Sequence, residues 1–208
     1  MNDRNTPTPF ECVKAATASL MVVTMMAAPA AHAVDGTITI NGEITDQTCK
    51  INGNQPPYNL VVTLPKIGTK AIPNVNDTAG ATPFEIKLSE CPDSLNTKML
   101  KAYFEPGLTT DYDSGNLLAY STTSAATKQT SIPNSPGNVF SNVQIQLANP
   151  NGSTLKVGVD ETAQAAQGAT VTGKAATLRY LARYVRTGAS NVTPGKLVSY
   201  VQYSIVYP

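Results

Sequence analysis

The sequence predicts an all-β protein, and three observations carry that prediction. Short runs rich in β-branched and aromatic residues recur between Gly, Pro, Asn and Asp clusters. Several of those runs alternate with a period of two, as in Val143, Ile145 and Leu147 separated by Gln144 and Gln146. Fifteen prolines and fourteen glycines, without a collagen-like period, suit the many turns of a sandwich.

Taken in order, the runs that read as strands are residues 37–45, 60–64, 84–88, 99–104, 139–147, 154–157, 178–185 and 197–206. The tetrad Asn149, Pro150, Asn151 and Gly152 turns the chain sharply between the fifth and sixth of these. Residues 109–135, with their Ser, Thr and Asn content, read as a surface loop. Residues 160–174, rich in Ala and Gln, read as a second loop with room for a short helical turn. No internal repeat and no linker long enough to divide domains is evident.

Residues 1–33 read as an address rather than as structure. Arg4 and Lys14 precede the apolar stretch 15–30, and Ala31, His32 and Ala33 form the small-x-small site of a signal peptidase. The stretch falls short of the roughly 18 to 20 residues that a membrane span needs. The competing reading, a buried N-terminal helix, would have to run straight into a β-patterned segment. An exported mature chain is therefore expected to begin at Val34 and to keep 175 of the 208 residues, enough for one sandwich and too few for two. The expected organisation is a signal peptide over 1–33, an N-terminal extension over 34–41 and one domain over 42–208.

Losing Arg4, Lys14, Asp3 and Glu11 with the leader leaves the net charge at +1. So small a charge, without a basic cluster, gives neither nucleic acid nor an anionic membrane an electrostatic footprint. Cys12 also leaves, so three cysteines become the pair Cys49 and Cys91. In an oxidising compartment that pair closes a loop of 42 residues, worth about 4 kcal/mol by chain entropy; two reduced core thiols are the alternative.

The only histidine, His32, lies in the leader. The mature chain then has no imidazole for Ser-His-Asp or Cys-His nucleophile systems, for metal ligation or for general-base work. Asp111 and Asp113 are the nearest candidates for a paired-carboxylate site, but two residues apart on a Gly- and Ser-rich loop they read as turn residues. Neither an enzyme, nor a cofactor, nor a metal site is expected. Without tryptophan, a sugar-stacking platform would depend on the nine tyrosines, several of which fall on expected strands.

The two ends of the mature chain carry the most specific pattern. Val34, Gly36, Ile38 and Ile40 share one face of the first run, against Asp35, Thr37, Thr39 and Asn41. At the other end, Val201, Tyr203, Ile205 and Tyr207 alternate with Gln202, Ser204 and Val206. By pattern alone these fit the first and last strands of an ordinary closed sandwich.

Five segments in order, DGTITINGEITDQTCKI, FEIKLSEC, SNVQIQLANPNGSTL, LRYLARYVRTG and the terminal VQYSIVYP, together resemble the major subunits of chaperone-usher fimbriae. The resemblance implies an incomplete immunoglobulin-like β-sandwich, short of its seventh strand and completed by donor-strand exchange. It implies a structural pilus subunit that supports adhesion, with a minor adaptor or a carbohydrate-binding adhesin subunit as the alternative. The implied partners are identical or related pilins, a periplasmic chaperone and an outer-membrane usher, on a route through the periplasm to a surface fimbrium, with no nucleic acid and no membrane insertion. In that reading Val34, Gly36, Ile38 and Ile40 form the donated strand. Val201, Tyr203, Ile205, Tyr207 and Pro208 form the acceptor groove and chaperone contact, the Pro208 carboxylate being the group a chaperone anchors. Cys49 and Cys91 match the family's bridge, whereas Val34 stands where the family often places a glycine.

Overall fold

The computed structural model describes residues 38–124 and 132–208. The leader, Val34 and Gly36 lie outside the described residues. Residues 38–43 belong to a short N-terminal unit, and residues 44–208 form the folded body.

Among its described residues the body has ten strands: β1 (Lys50–Ile51), β2 (Thr78–Ser89), β3 (Met99–Glu105), β4 (Leu117–Thr122), β5 (Val139–Ala148), β6 (Thr154–Leu155), β7 (Ala169–Thr170), β8 (Ala176–Arg186), β9 (Lys196–Val198) and β10 (Gln202–Val206). One sheet runs in the order β1-β2-β8-β5-β4-β9, with β6 alongside β5, and a second runs β10-β3-β7. Every pairing is antiparallel.

Alternation explains which faces meet. Along β8, Leu178, Tyr180 and Ala182 are buried while Arg179 is exposed, and Ile86 and Leu88 of β2 face the same core. From the second sheet, Leu100, Ala102 and Phe104 of β3 enter that core. Each fully buried Leu, Ile or Phe contributes about 1.5 to 3 kcal/mol. The Phe104 and Tyr180 rings meet edge to face with centroids 5.1 Å apart. The Tyr180 hydroxyl donates to the Gln167 carbonyl at 2.9 Å and accepts from the Ala102 amide at 3.0 Å, so its burial leaves no polar atom unpaired. Cys49 and Cys91 are disulfide-bonded, joining the residue before β1 to the chain just beyond β2.

The short helix α1 (Glu161–Gln164) lies within the expected second loop. The Asp160 carboxylate caps it by accepting from the Thr162 and Ala163 amides at 2.9 and 3.0 Å, and Ala165 ends it in a left-handed conformation at φ 55°. It exists to deliver Gln164. That side chain, only 1% exposed, accepts from the Phe104 amide at 2.8 Å and donates to the Phe104 carbonyl at 3.0 Å. A side-chain amide thereby takes the place of a neighbouring strand at the outer edge of β3.

Four expectations need correction. Residues 38–45 form no strand, having no hydrogen-bonded ladder with any described residue. Residues 60–64 are extended and alternate in burial, yet they too lack a ladder. The expected loop 109–135 contains β4, whose Leu117, Ala119 and Tyr120 are all buried. The expected strand 197–206 is two strands, β9 in the first sheet and β10 in the second, joined by a non-ladder step at residues 199–201.

Candidate interaction groove

That switch of the last segment between sheets leaves an opening. On one side run β9 and β10, on the other the extended residues 58–65, and between them lies a groove of about 1480 Å³. Leu60, Val62 and Leu64 line it from one bank and Leu197, Val201 and Ile205 from the other, with Phe84 and Phe104 contributed from the two sheets. These side chains are apolar, and those of the banks are half-buried against the core.

Both banks have open backbone edges. Among the described residues β9 pairs with β4 alone and β10 with β3 alone, so each has a second edge free. Residues 59–64 make no backbone hydrogen bond to any described residue. An apolar trough flanked by unpaired strand edges is costly to leave in water and suited to an added strand.

Val201, Tyr203, Ile205 and Tyr207 are half-buried and line the groove, Gln202 and Ser204 are exposed, and Pro208 is exposed at the end. Two tyrosine hydroxyls reach across. Tyr203 donates to the Tyr58 carbonyl at 2.7 Å, and the Cys49 amide donates to the Tyr207 hydroxyl at 3.2 Å. Burial pushes the Tyr203 phenol above its ordinary range, with the neighbouring Tyr58 phenol adding to the effect. Burial also raises Tyr207, and the hydrogen bond from Cys49 opposes it.

Ile38 and Ile40 of the N-terminal segment are 89% and 88% exposed. Ile44, which belongs to the body, is fully exposed and was missed; it continues the even-numbered apolar set through Gly42. The bank at residues 58–65 was missed as part of the site as well. Its signal was present, since Leu60, Val62 and Leu64 alternate between Pro57 and Pro65, and proline marks strands that leave a ladder position empty.

Asp111 and Asp113 do not form a paired-carboxylate site. The Asp113 amide donates to Asp111 Oδ1 at 3.1 Å in a local turn, and Gln144 Nε2 donates to Asp111 Oδ2 at 2.5 Å. That amide holds the Asp111 carboxyl below its ordinary value.

The folded body is thus a two-sheet β-sandwich with an open apolar groove beside its last strand. Residues 64–208 match the family model "Type-1 fimbrial protein, A". The chain is 47% identical over 186 residues to the serotype 3 fimbrial subunit of Bordetella pertussis, covering 86% of this chain and 89% of that one. In fold it is similar to the P pilus rod subunit PapA, with a TM-score of 0.52 at 12% identity, covering 77% of this chain and 99% of that one. It is likewise similar to a subunit in the structure of a chaperone-usher pilus, with a TM-score of 0.51 at 14% identity, covering 87% and 100%. The chain belongs to the type-1 fimbrial protein family, whose members are structural subunits of surface fimbriae.

Proposed function

We propose that this protein is a chaperone-usher pilus subunit that polymerises by donor-strand exchange: residues 34–41 of one copy fill the groove of the next. The observation that carries the reading is the apolar groove with an open strand edge on each bank. The similarity of the fold to a subunit of a chaperone-usher pilus supports it.

In this reading Val34, Gly36, Ile38 and Ile40 face the groove, and their backbone supplies the ladder that both banks lack. Each isoleucine buried there adds about 1.5 to 3 kcal/mol. Before assembly a periplasmic chaperone fills the groove with its own strand and anchors the Pro208 carboxylate. At the outer-membrane usher the arm of the next subunit replaces it. Exchange needs no nucleotide, because the arm packs better than the strand it displaces. The leader 1–33 is removed on export, and the mature chain divides into the donor arm 34–41 and the pilin domain 42–208.

The experiment is a full-length chain carrying Ile38→Asp and Ile40→Asp, exported beside its chaperone and usher. Electron microscopy is expected to find no fibres, while mixed expression with the unaltered chain shortens fibres because the variant accepts a strand and lends none. Fibres of ordinary length from the variant alone would overturn the reading.

A further inference from the structure

The bank at residues 58–65 poses a physical problem. An extended segment without a ladder should wander, yet this one holds its inner residues Leu60, Val62 and Leu64 against the core. Its two ends show how. At one end the Tyr203 hydroxyl, from β10 in the second sheet, donates to the Tyr58 carbonyl at 2.7 Å. At the other the Tyr184 hydroxyl, from β8 in the first sheet, donates to the Pro65 carbonyl at 3.2 Å. Between those two tethers residues 59–64 keep their backbone groups free of described protein partners.

We infer that Tyr203 and Tyr184 are positioning residues of the groove: their hydroxyls fasten the ends of residues 58–65 so that the intervening edge stays extended and unpaired for an incoming strand. The inference rests on the donor-strand reading above. A neighbouring strand would fix the segment equally well, but it would consume the edge. A hydroxyl takes one carbonyl at each end and leaves the rest. The tethered stretch is eight residues, about 23 Å at 3.3 Å per residue, and the arm 34–41 is also eight residues.

The Tyr184 tether has a built place. Gly80 sits at a register shift in β2 with φ +67°, and a Cβ there would lie 3.0 Å from Tyr184 Cδ2 and 3.3 Å from Pro65 Cγ. The bulge and the missing side chain make room for the ring and for the proline it holds. Tyr203 gains its reach from the alternation of β10, which turns the ring toward the core.

The test uses the full-length chain with Ile38→Asp and Ile40→Asp as the parent, so that its own arm does not compete. A fluorescent synthetic peptide of residues 34–41 is the probe. Tyr203→Phe and Tyr184→Phe keep the rings and remove the hydroxyls. Each is expected to weaken peptide binding about five- to tenfold, as loss of one hydrogen bond would. Each is also expected to speed cleavage within residues 58–65 of the peptide-free chain by a broad-specificity protease. Tyr180→Phe, whose hydroxyl bonds Ala102 and Gln167 and not residues 58–65, is expected to lower the melting temperature and to leave peptide affinity and that cleavage unchanged. Phe variants that bind as the parent does, or that lose affinity only in step with melting temperature, would overturn the tethering while the donor-strand reading stands. A parent that does not bind the peptide would overturn both.

Discussion

The two edges of the second sheet are finished in opposite ways. At the outer edge, β7 pairs with the start of β3 through Met99 and Leu100, and beyond it the buried Gln164 amide satisfies both backbone groups of Phe104. At the inner edge, β10 has no second neighbour among the described residues, and across the groove residues 58–65 pack their inner side chains on the core and are hydrogen-bonded to described residues only at their ends, by tyrosine hydroxyls. The sequence devotes a capped helix and a fully buried side chain to closing one edge, and two phenols to keeping the other open. Open edges in soluble proteins are ordinarily blunted by charge, proline or a covering element, because they invite association. Here the closed edge shows that the fold has the means to cover a strand, and in the proposed reading the open one is left for a donated strand.

The largest effect is expected where the open side is anchored. Cys49→Ala, which removes the 42-residue cross-link, is expected to cost about 4 kcal/mol, read as a lower denaturant midpoint under oxidising conditions. The disulfide holds Cys49 where its amide reaches Tyr207, at the far end of β10. Donor-peptide uptake should therefore fall further than the Gln164 variant below makes it fall. Equal losses of uptake at equal destabilisation would break the contrast between the two edges.

Next comes the closed edge itself. Gln164→Leu keeps the volume and leaves the Phe104 amide and carbonyl without their partner. Each unsatisfied buried group costs about 1 to 3 kcal/mol, so a loss of about 3 kcal/mol is expected, seen by calorimetry as a fall in melting temperature of roughly 6 to 12 °C. The variant should also self-associate more readily than the parent, because it carries two open edges instead of one. Light scattering of the folded protein checks this.

How much of this was legible in the sequence divides along the same line. Strand β8 was readable because buried and more exposed residues alternate along it, and β5 because Val143, Ile145 and Leu147 keep an apolar period of two, although Gln144 between them is itself buried and bonded to Ser114, Asn116 and Asp111. Strand β4 was not, because Leu117, Ala119 and Tyr120 are all buried, so no period of two survives, and the Ser- and Thr-rich surroundings read as loop. The Gln164 closure was invisible, since nothing in the local pattern distinguishes a glutamine on a short helix from any polar surface residue. The expected strands 37–45 and 60–64 fail in the opposite sense over their described residues. Their alternation is real, but a strand is defined by its ladder, and neither segment has a ladder partner among the described residues. An apolar period of two without a ladder is what donated and accepting segments should show before they meet, so the misreading itself points to the groove. At the C-terminal end the same kind of alternation accompanies a true strand, because residues 202–206 do pair with β3.

The smallest effect separates the edges by pH. Gln164 does not titrate, whereas the open side relies on tyrosines whose phenols are raised by burial at Tyr203, Tyr207 and Tyr184. A raised phenol binds its proton more tightly in the folded chain than in the unfolded one. The associated stability is present in full below the unfolded value, about 10, and is lost as pH rises through the folded values, because the unfolded chain ionises first. The melting temperature is therefore expected to fall above about pH 10, and the Tyr203→Phe, Tyr184→Phe double variant should show a shallower fall than the parent. The Gln164→Leu variant should keep the parent's slope while starting lower. If the double variant and the parent lose stability in parallel through the alkaline range, the phenols of the open edge contribute nothing that depends on their protons.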